Sequence, residues 1–311
     1  MVLKPISLIG RDDATSPFLA DFRRFSNRIV QIFHDQPLVA RKIAPMVEPL
    51  DFDGMTEHET ALLKDISRPE YAMDPQDSHT NIEGDSVIVK TPQIFQSASL
   101  LNDRWKAVFA GKERMPILVS RMLGKIKNEE DFITFQGSTK ENVKGLISNI
   151  TTDIGAVSGA WGADSGGDGI LENAQADIEK AIDGFVADGL GAYPVDLVMT
   201  SYIYNLLKNK IVPYDPKTNN LTIVEGKING GQILVSNNIQ VGVLKTANTF
   251  VAIARTSESE AAWQLLSSGL DQSMEKEGLW KTAIGIREKF SVKVLDKKFI
   301  RWMDGITANA T

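Results

Sequence analysis

Residues 130–137 read EDFITFQG and residues 143–147 read VKGLI, and these two segments are the most distinctive stretch of the 311-residue chain. The first segment closes residues 116–135, in which apolar side chains recur on successive helical turns and Pro116 stands near the start. That spacing and the proline predict one long helix. The helix is therefore the central element to which the flanking segments are related.

Two segments on the N-terminal side of this helix have contrasting patterns. Residues 17–34 (PFLADFRRFSNRIVQIFH) place large apolar side chains three and four positions apart, which predicts an amphipathic helix. Residues 51–85 carry ten acidic side chains against two basic ones and show no apolar period, which is unusual for a loop within a compact domain. Residues 86–96 are rich in β-forming residues, so residues 51–96 together predict a long two-stranded arm.

The C-terminal side predicts a mixture of helices and strands. A glycine-rich flexible loop is expected at residues 157–169, and helices are expected at residues 172–188 and 202–207. Strands are expected at residues 195–199, 232–236, 248–254, 262–266 and 284–294. In the last of these, apolar residues alternate with polar ones, namely Ile284, Ile286, Phe290, Val292 and Val294 with Arg287, Lys289, Ser291 and Lys293. This predicts one buried face and one face in contact with water. The fold class is therefore α+β.

Composition excludes several classes of function. The chain has 34 basic and 40 acidic side chains, a net charge of −6, and no cysteine, which removes disulfides, thiolate zinc sites and iron–sulfur clusters. No basic cluster with interleaved aromatic residues supports sequence-specific nucleic-acid binding. No apolar run approaches the roughly 18 residues of a membrane span, and the first residues lack the pattern of a secretory signal. We therefore expect a cytoplasmic protein with no membrane partner.

Candidate catalytic chemistry is sparse. Residues 164–167 (DSGG) copy the nucleophile loop of trypsin-like serine proteases, which makes a hydrolase using Ser165 a low-ranking alternative. The three histidines, His34, His58 and His79, lie in no recognisable catalytic or metal-binding motif. A glycine-rich turn is therefore the simpler interpretation of residues 164–167. Nothing marks the adjacent Glu129 and Glu130 for acid–base catalysis. The sequence predicts no catalytic residues, no metal site and no cofactor.

The distinctive stretch resembles a known family. EDFITFQG followed by VKGLI is similar to a passage of encapsulin shell proteins, which share the Hong Kong 97-type fold with the major capsid proteins of tailed phages. Further passages at residues 40–50, 188–195, 230–234 and 287–294 resemble encapsulin segments in the same order along the chain. The collinear order carries more weight than any single passage.

The resemblance implies a division of the chain into the parts of that fold. Residues 1–35 would be an N-terminal arm and helix, and residues 51–96 the extended E-loop that lies over a neighbouring subunit. Residues 36–50, 97–150 and 276–300 would form the P-domain, with the long helix as its spine. Residues 151–275 would form the axial A-domain, and residues 301–311 a C-terminal tail.

The resemblance also implies a function, a structural protomer that self-assembles into an icosahedral shell of pentamers and, in larger shells, hexamers. An encapsulin-type cytoplasmic nanocompartment around a cargo protein is favoured by the early leading helix. The alternative, a viral or proviral capsid around DNA, is favoured by Pro45, where the family often has an acidic residue, and by the long arm.

The implied functional residues fall into three groups. Those expected to face the lumen or cargo are Phe22, Phe25, Ile29, Ile32, Arg41 and Lys42. Those expected at the E-loop contact between subunits are Glu57, Glu59, Asp65, Arg68, Asp74 and Asp85. Those expected in the axial loop of the A-domain are Lys210, Tyr214 and Asp215.

Overall fold

The computed structural model describes residues 39–44, 47–49, 57–63, 84–101, 114–139, 142–149, 154–163, 171–207, 231–241, 248–257, 262–277 and 281–307. Its helices are α1 (Val39–Ile43), α2 (Arg114–Phe135), α3 (Leu146–Asn149), α4 (Glu172–Ala187) and α5 (Ser201–Leu207). Its strands are β1 (Val47–Pro49), β2 (Glu57–Leu63), β3 (Gly84–Lys90), β4 (Gln93–Leu101), β5 (Gly137–Ser138), β6 (Val143–Lys144), β7 (Val195–Met199), β8 (Ile233–Val235), β9 (Asn248–Ala254), β10 (Trp263–Ser267), β11 (Asp271–Glu277), β12 (Lys281–Val294) and β13 (Ile300–Ile306). The α+β class is confirmed, and the helix predicted at residues 17–34 lies outside the described residues.

The long helix packs on a sheet built around β12. This strand pairs antiparallel with β10 and β11 and also with β4, while β1 pairs parallel with β10. Ile126 and Ile133 of α2 belong to one apolar cluster with Ile286 and Phe290 of β12. The predictions of a long helix ending at Phe135 and of an alternating strand reaching Val294 are therefore confirmed.

The face of β12 that was predicted to contact water is more buried than predicted. Arg287 is exposed, but Ser291 and Lys293, which the alternation assigns to the wet face, are buried. Lys293 Nζ lies 2.5 Å from Glu48 Oε2 on β1, so the lysine charge is paired below the surface. The pattern was wrong at these positions because burial of this face depends on a strand more than two hundred residues away in sequence.

A second sheet joins two apolar cores. Its strand order is β13-β9-β7-β8, and α4 and α5 cover one face with Ile178, Phe185 and Ile203. The other face of the same sheet contributes Val198 and Val251 to the cluster that contains α2. Side chains on alternate positions of β7 and β9 thus face different cores, as expected for strands buried on both sides.

Two segments differ from the sequence-based division of the chain. Residues 301–311 were expected to be a tail, but β13 pairs antiparallel with β9 across Ile300–Ile306. Strands β10 and β11 pair with β12, although residues 151–275 were expected to form one separate domain. The partner of β13 lies some fifty residues earlier in the sequence, whereas the partner of β10 and β11 is β12, the strand that follows them. Neither pairing was recognised from the pattern of the segment alone.

Strands β2 and β3 form a separate antiparallel hairpin. Their register runs from Glu57 opposite Lys90 to Leu63 opposite Gly84, and no third strand joins them among the described residues. The arm was predicted over residues 51–96, but residues 93–96 belong to β4 and pair with β12, so the two paired strands of this segment are β2 and β3 alone. No helix in the described part of the chain is both long and apolar enough to cross a membrane.

Candidate functional site

Arg41 is the centre of a buried ionic junction between α1, α2 and the first sheet. Its Nε donates to Glu130 Oε2 at 3.1 Å, and its Nη2 donates to Glu130 Oε1 at 3.2 Å and to Glu288 Oε1 at 2.9 Å. Ser267 of β10 donates to the same oxygen of Glu288, and the guanidinium lies 6.0 Å from the ring centroid of Phe290. One cation therefore ties a short helix to the long helix and to two strands.

The junction holds more acidic than basic groups. Both Glu130 and Glu288 are fully buried, whereas Arg41 is the single cation that contacts them among the described residues. Burial, and then the charge and hydrogen bond of Glu288, raise the pKa of Glu130 well above its ordinary value, and Arg41 acts in the opposite direction. Burial works against the charge of Arg41, but its contacts with the two glutamates outweigh burial and raise the pKa of the guanidinium.

The neighbouring carboxylate fixes the position of α1. Asp131 accepts a hydrogen bond from the Ala40 backbone N at 3.0 Å, which satisfies one of the amides that a short helix leaves unpaired. Burial raises the pKa of Asp131, while the hydrogen bonds from the backbone of Ala40 and Val39 oppose that shift. Two adjacent acids of α2 thus hold α1, Glu130 through the Arg41 side chain and Asp131 through the α1 backbone.

Another buried carboxylate, Asp177, organises the described residues that precede α4. Asp177 accepts from Ser158 N and Ser158 Oγ, from Trp161 Nε1 at 2.9 Å, and from Lys180 Nζ at 3.0 Å. Burial would raise the pKa of Asp177, but these hydrogen bonds outweigh it and lower the pKa. Residues 157–163 lie in the segment expected to be a flexible loop, yet Trp161 is completely buried against Phe250.

The turn after α2 depends on close backbone contact. Gly137 has φ +77°, a region that favours glycine, and pairs with Lys144 in the two-residue ladder of β5 and β6. A Cβ on Gly145 would lie 2.4 Å from Gly137 N, which is closer than real Cβ contacts allow. The glycines in EDFITFQG and VKGLI therefore bring the end of the helix against the following strand.

Among the residues proposed to face the lumen or cargo, the two that lie on α1 have different surroundings. Arg41 points into the ionic junction, whereas Lys42, the next residue of α1, is exposed. The other proposed lumen residues, Phe22, Phe25, Ile29 and Ile32, lie outside the described residues.

The proposed contact residues of the arm are only partly described. Glu57 and Glu59 occupy alternate positions of β2, and Asp85 of β3 stands opposite Leu62. Asp65, Arg68 and Asp74 lie outside the described residues, as do the axial candidates Lys210, Tyr214 and Asp215 and the candidate nucleophile Ser165. The structure therefore places Glu57, Glu59 and Asp85 on one hairpin, with Asp85 near the opposite end from Glu57, and the contact role of all these residues stays a prediction.

The sequence analysis gave no structural role to Glu130 or to Asp177. Glu129 and Glu130 were not distinguished in the sequence, but Glu129 is exposed and Glu130 is buried. The available signal was the position of Glu130 four residues after the buried Ile126, on the apolar side of α2. No group of three or more histidine, aspartate or glutamate side chains in the described ranges could hold a metal ion.

Comparison with known proteins identifies the fold. No family model and no curated protein matches the chain. Among solved structures, the capsid of Myoviridae phage XM1 is 15% identical with a TM-score of 0.60, over 87% of this chain and 92% of that chain. The virus-like particle from Pyrococcus furiosus is 13% identical with a TM-score of 0.58, over 93% and 100%. The SrpI encapsulin from Synechococcus elongatus is 10% identical with a TM-score of 0.59, over 88% and 89%. The chain therefore has the Hong Kong 97-type fold of capsids and encapsulins, as the sequence resemblance predicted.

Proposed function

We propose that the chain is a structural protomer that self-assembles into a closed icosahedral protein shell, of the encapsulin type, which encloses a cargo protein in the cytoplasm. The observation that carries the proposal is the β2–β3 hairpin on a body with this fold. An isolated two-stranded hairpin is marginally stable in water, and its open edges offer backbone groups to another chain. A neighbouring subunit is the partner that would complete it.

The distribution of charge supports contacts between copies of the chain. Residues 51–85, which include β2, hold ten acidic and two basic side chains, whereas residues 201–311 hold ten acidic and fourteen basic ones. Complementary patches on one chain register a heterologous contact, in which different surfaces of two identical subunits meet. Closed symmetry then multiplies many weak contacts into a stable particle.

The structure also bears on the content of the shell. The exposed Lys42 is available to an acidic segment of cargo, whereas Arg41 is engaged with Glu130 and Glu288. The engagement of Arg41 supports the alternative, a viral capsid around DNA, because Arg41 is one of the residues expected to face cargo. The phage XM1 capsid and the SrpI encapsulin resemble the chain to a similar degree, so the fold favours neither content.

Analysis of particle contents tests the proposal. Particles purified under native conditions would be treated with nuclease, opened, and examined by mass spectrometry and by nucleic-acid electrophoresis. A nanocompartment should hold a second protein in constant ratio to the shell and no long nuclease-resistant DNA. Particles filled with protected DNA of uniform length would instead support the capsid alternative, and a protein that never forms closed particles would contradict both.

A further inference from the structure

The buried junction leaves a charge and a hydrogen bond unaccounted for. Two carboxyl groups, each with no exposed side-chain surface, face one guanidinium, so full ionisation would bury a net negative charge. Leaving an uncompensated charge in the interior costs several kcal/mol. Glu288 Oε2 is moreover buried with no hydrogen-bond partner among the described residues.

One bound proton would account for both the excess charge and the buried Glu288 Oε2 that lacks a hydrogen-bond partner. Glu130 Oε1 and Glu288 Oε1 accept from the same nitrogen, Arg41 Nη2, at 3.2 and 2.9 Å, so the two carboxyl groups meet at one point of the junction. An ionised carboxylate only accepts, so two ionised groups repel, whereas one added proton supplies a donor between them. The same proton reduces the charge of the cluster to zero.

We propose that Glu130 and Glu288 share one proton at neutral pH, and that its loss at alkaline pH loosens the hold of α2 and β12 on α1. The charged groups that face Glu130 are Arg41 from α1 and Glu288 from β12, and β10 contributes the hydroxyl of Ser267. Asp131, the next residue of α2, faces the backbone of α1 and stands outside the pair.

The direction of the pH effect follows from proton binding. A carboxyl that keeps its proton in the folded state but loses it in the unfolded state binds more protons when folded. Stability from the pair is therefore complete below the ordinary glutamate pKa of 4.5 and is lost as the pH rises through the value in the folded protein. This sign is opposite to that of an ordinary salt-bridged carboxylate.

Infrared spectroscopy tests the shared proton directly. The full-length protein should show the carbonyl stretch of a protonated carboxyl group at neutral pH, and this band should disappear at alkaline pH. Glu130→Gln and Glu288→Gln should each lack the band, because one remaining carboxylate balances Arg41. Asp131→Asn, a matched control on the same helix, should keep it. Absence of the band from the native protein at neutral pH, or its persistence in both glutamine variants, overturns the proposal.

Denaturation and hydrogen exchange test the consequence. The urea midpoint of the native protein should fall from mildly acidic to alkaline pH, with loss of amide protection in residues 39–44 after correction for intrinsic exchange. Both glutamine variants should lose this dependence, whereas an undiminished dependence in both contradicts the proposal. If a variant fails to fold, the pH titration of the native band still decides. Because these measurements apply equally to free protomers, failure to form shells would count against the proposed function alone.

Discussion

A single carboxylate, Asp177, fixes residues 158–161, which belong to the described part of a segment expected to be a flexible loop. It receives hydrogen bonds from a backbone amide, a hydroxyl, an indole and an ammonium group, all from residues 158–161 or the next turn of α4. Hydrogen bonds to a charged group contribute about 1.5–3 kcal/mol each, more than those between neutral groups. Residues 158–161 are therefore held by one side chain, which the glycine content of the surrounding sequence did not reveal.

Asp177→Asn should lower the free energy of unfolding by about 2–4 kcal/mol, because the amide presents a donor to groups that already donate. Urea denaturation at neutral pH measures this loss. The contribution of Asp177 should be complete above the ordinary pKa of 3.8 and decline as the pH falls through its lower folded value, so the variant and the native protein should converge in acid. Asp183→Asn, an exposed acid on the same helix, is the control and should change stability little. Equal effects from both substitutions would contradict the role given to Asp177.

Two glycines near the distinctive stretch should respond in opposite directions to alanine. Gly145→Ala places a Cβ 2.7 Å from the backbone carbonyl carbon of Phe135 and should cost about 1–3 kcal/mol or more. Gly124→Ala lies within α2 with no atom near the added Cβ and should gain about 0.5–1 kcal/mol. Thermal unfolding of the two variants side by side checks both signs. A neutral Gly145→Ala would show that the close backbone contact after α2 is not required.

At the scale of elements, strong local patterns were predictable and distant partnerships were not. The helix expected at residues 116–135 is Arg114–Phe135, since Pro116 and the apolar spacing are local signals. Strand β13 was missed because its exposed Asp304 and Gly305 interrupt the alternation, and its partner β9 begins some fifty residues earlier. The burial of Glu130 was missed for a related reason, because its partner Arg41 is 89 positions away.

The β2–β3 hairpin leads to a prediction at the scale of elements. Deleting residues 52–85 removes β2 and the start of β3 but leaves both apolar cores, so the protomer should fold and fail to assemble. Circular dichroism would report folding, and electron microscopy would report particles. The paired variant Glu57→Gln/Glu59→Gln keeps the strand length and should weaken assembly while reducing its dependence on salt. Intact particles from the deletion would contradict the assignment of the arm to subunit contacts.

At the scale of the whole molecule, the two apolar cores meet through one sheet. Val198 and Val251 face the core of α2, while Leu197 and Phe250, the adjacent residues, face the core of α4. The ionic junction of Arg41 then ties α1 to the first of these cores. The body is thus supported by its own packing, whereas no third strand pairs with the hairpin among the described residues.

Electron microscopy of the purified full-length chain at neutral pH tests the central claim most directly. The account predicts closed particles of icosahedral symmetry built from this one chain, with density for the hairpin lying on a neighbouring subunit. A population that stays monomeric, or that forms only small open oligomers at every protein concentration, would contradict it.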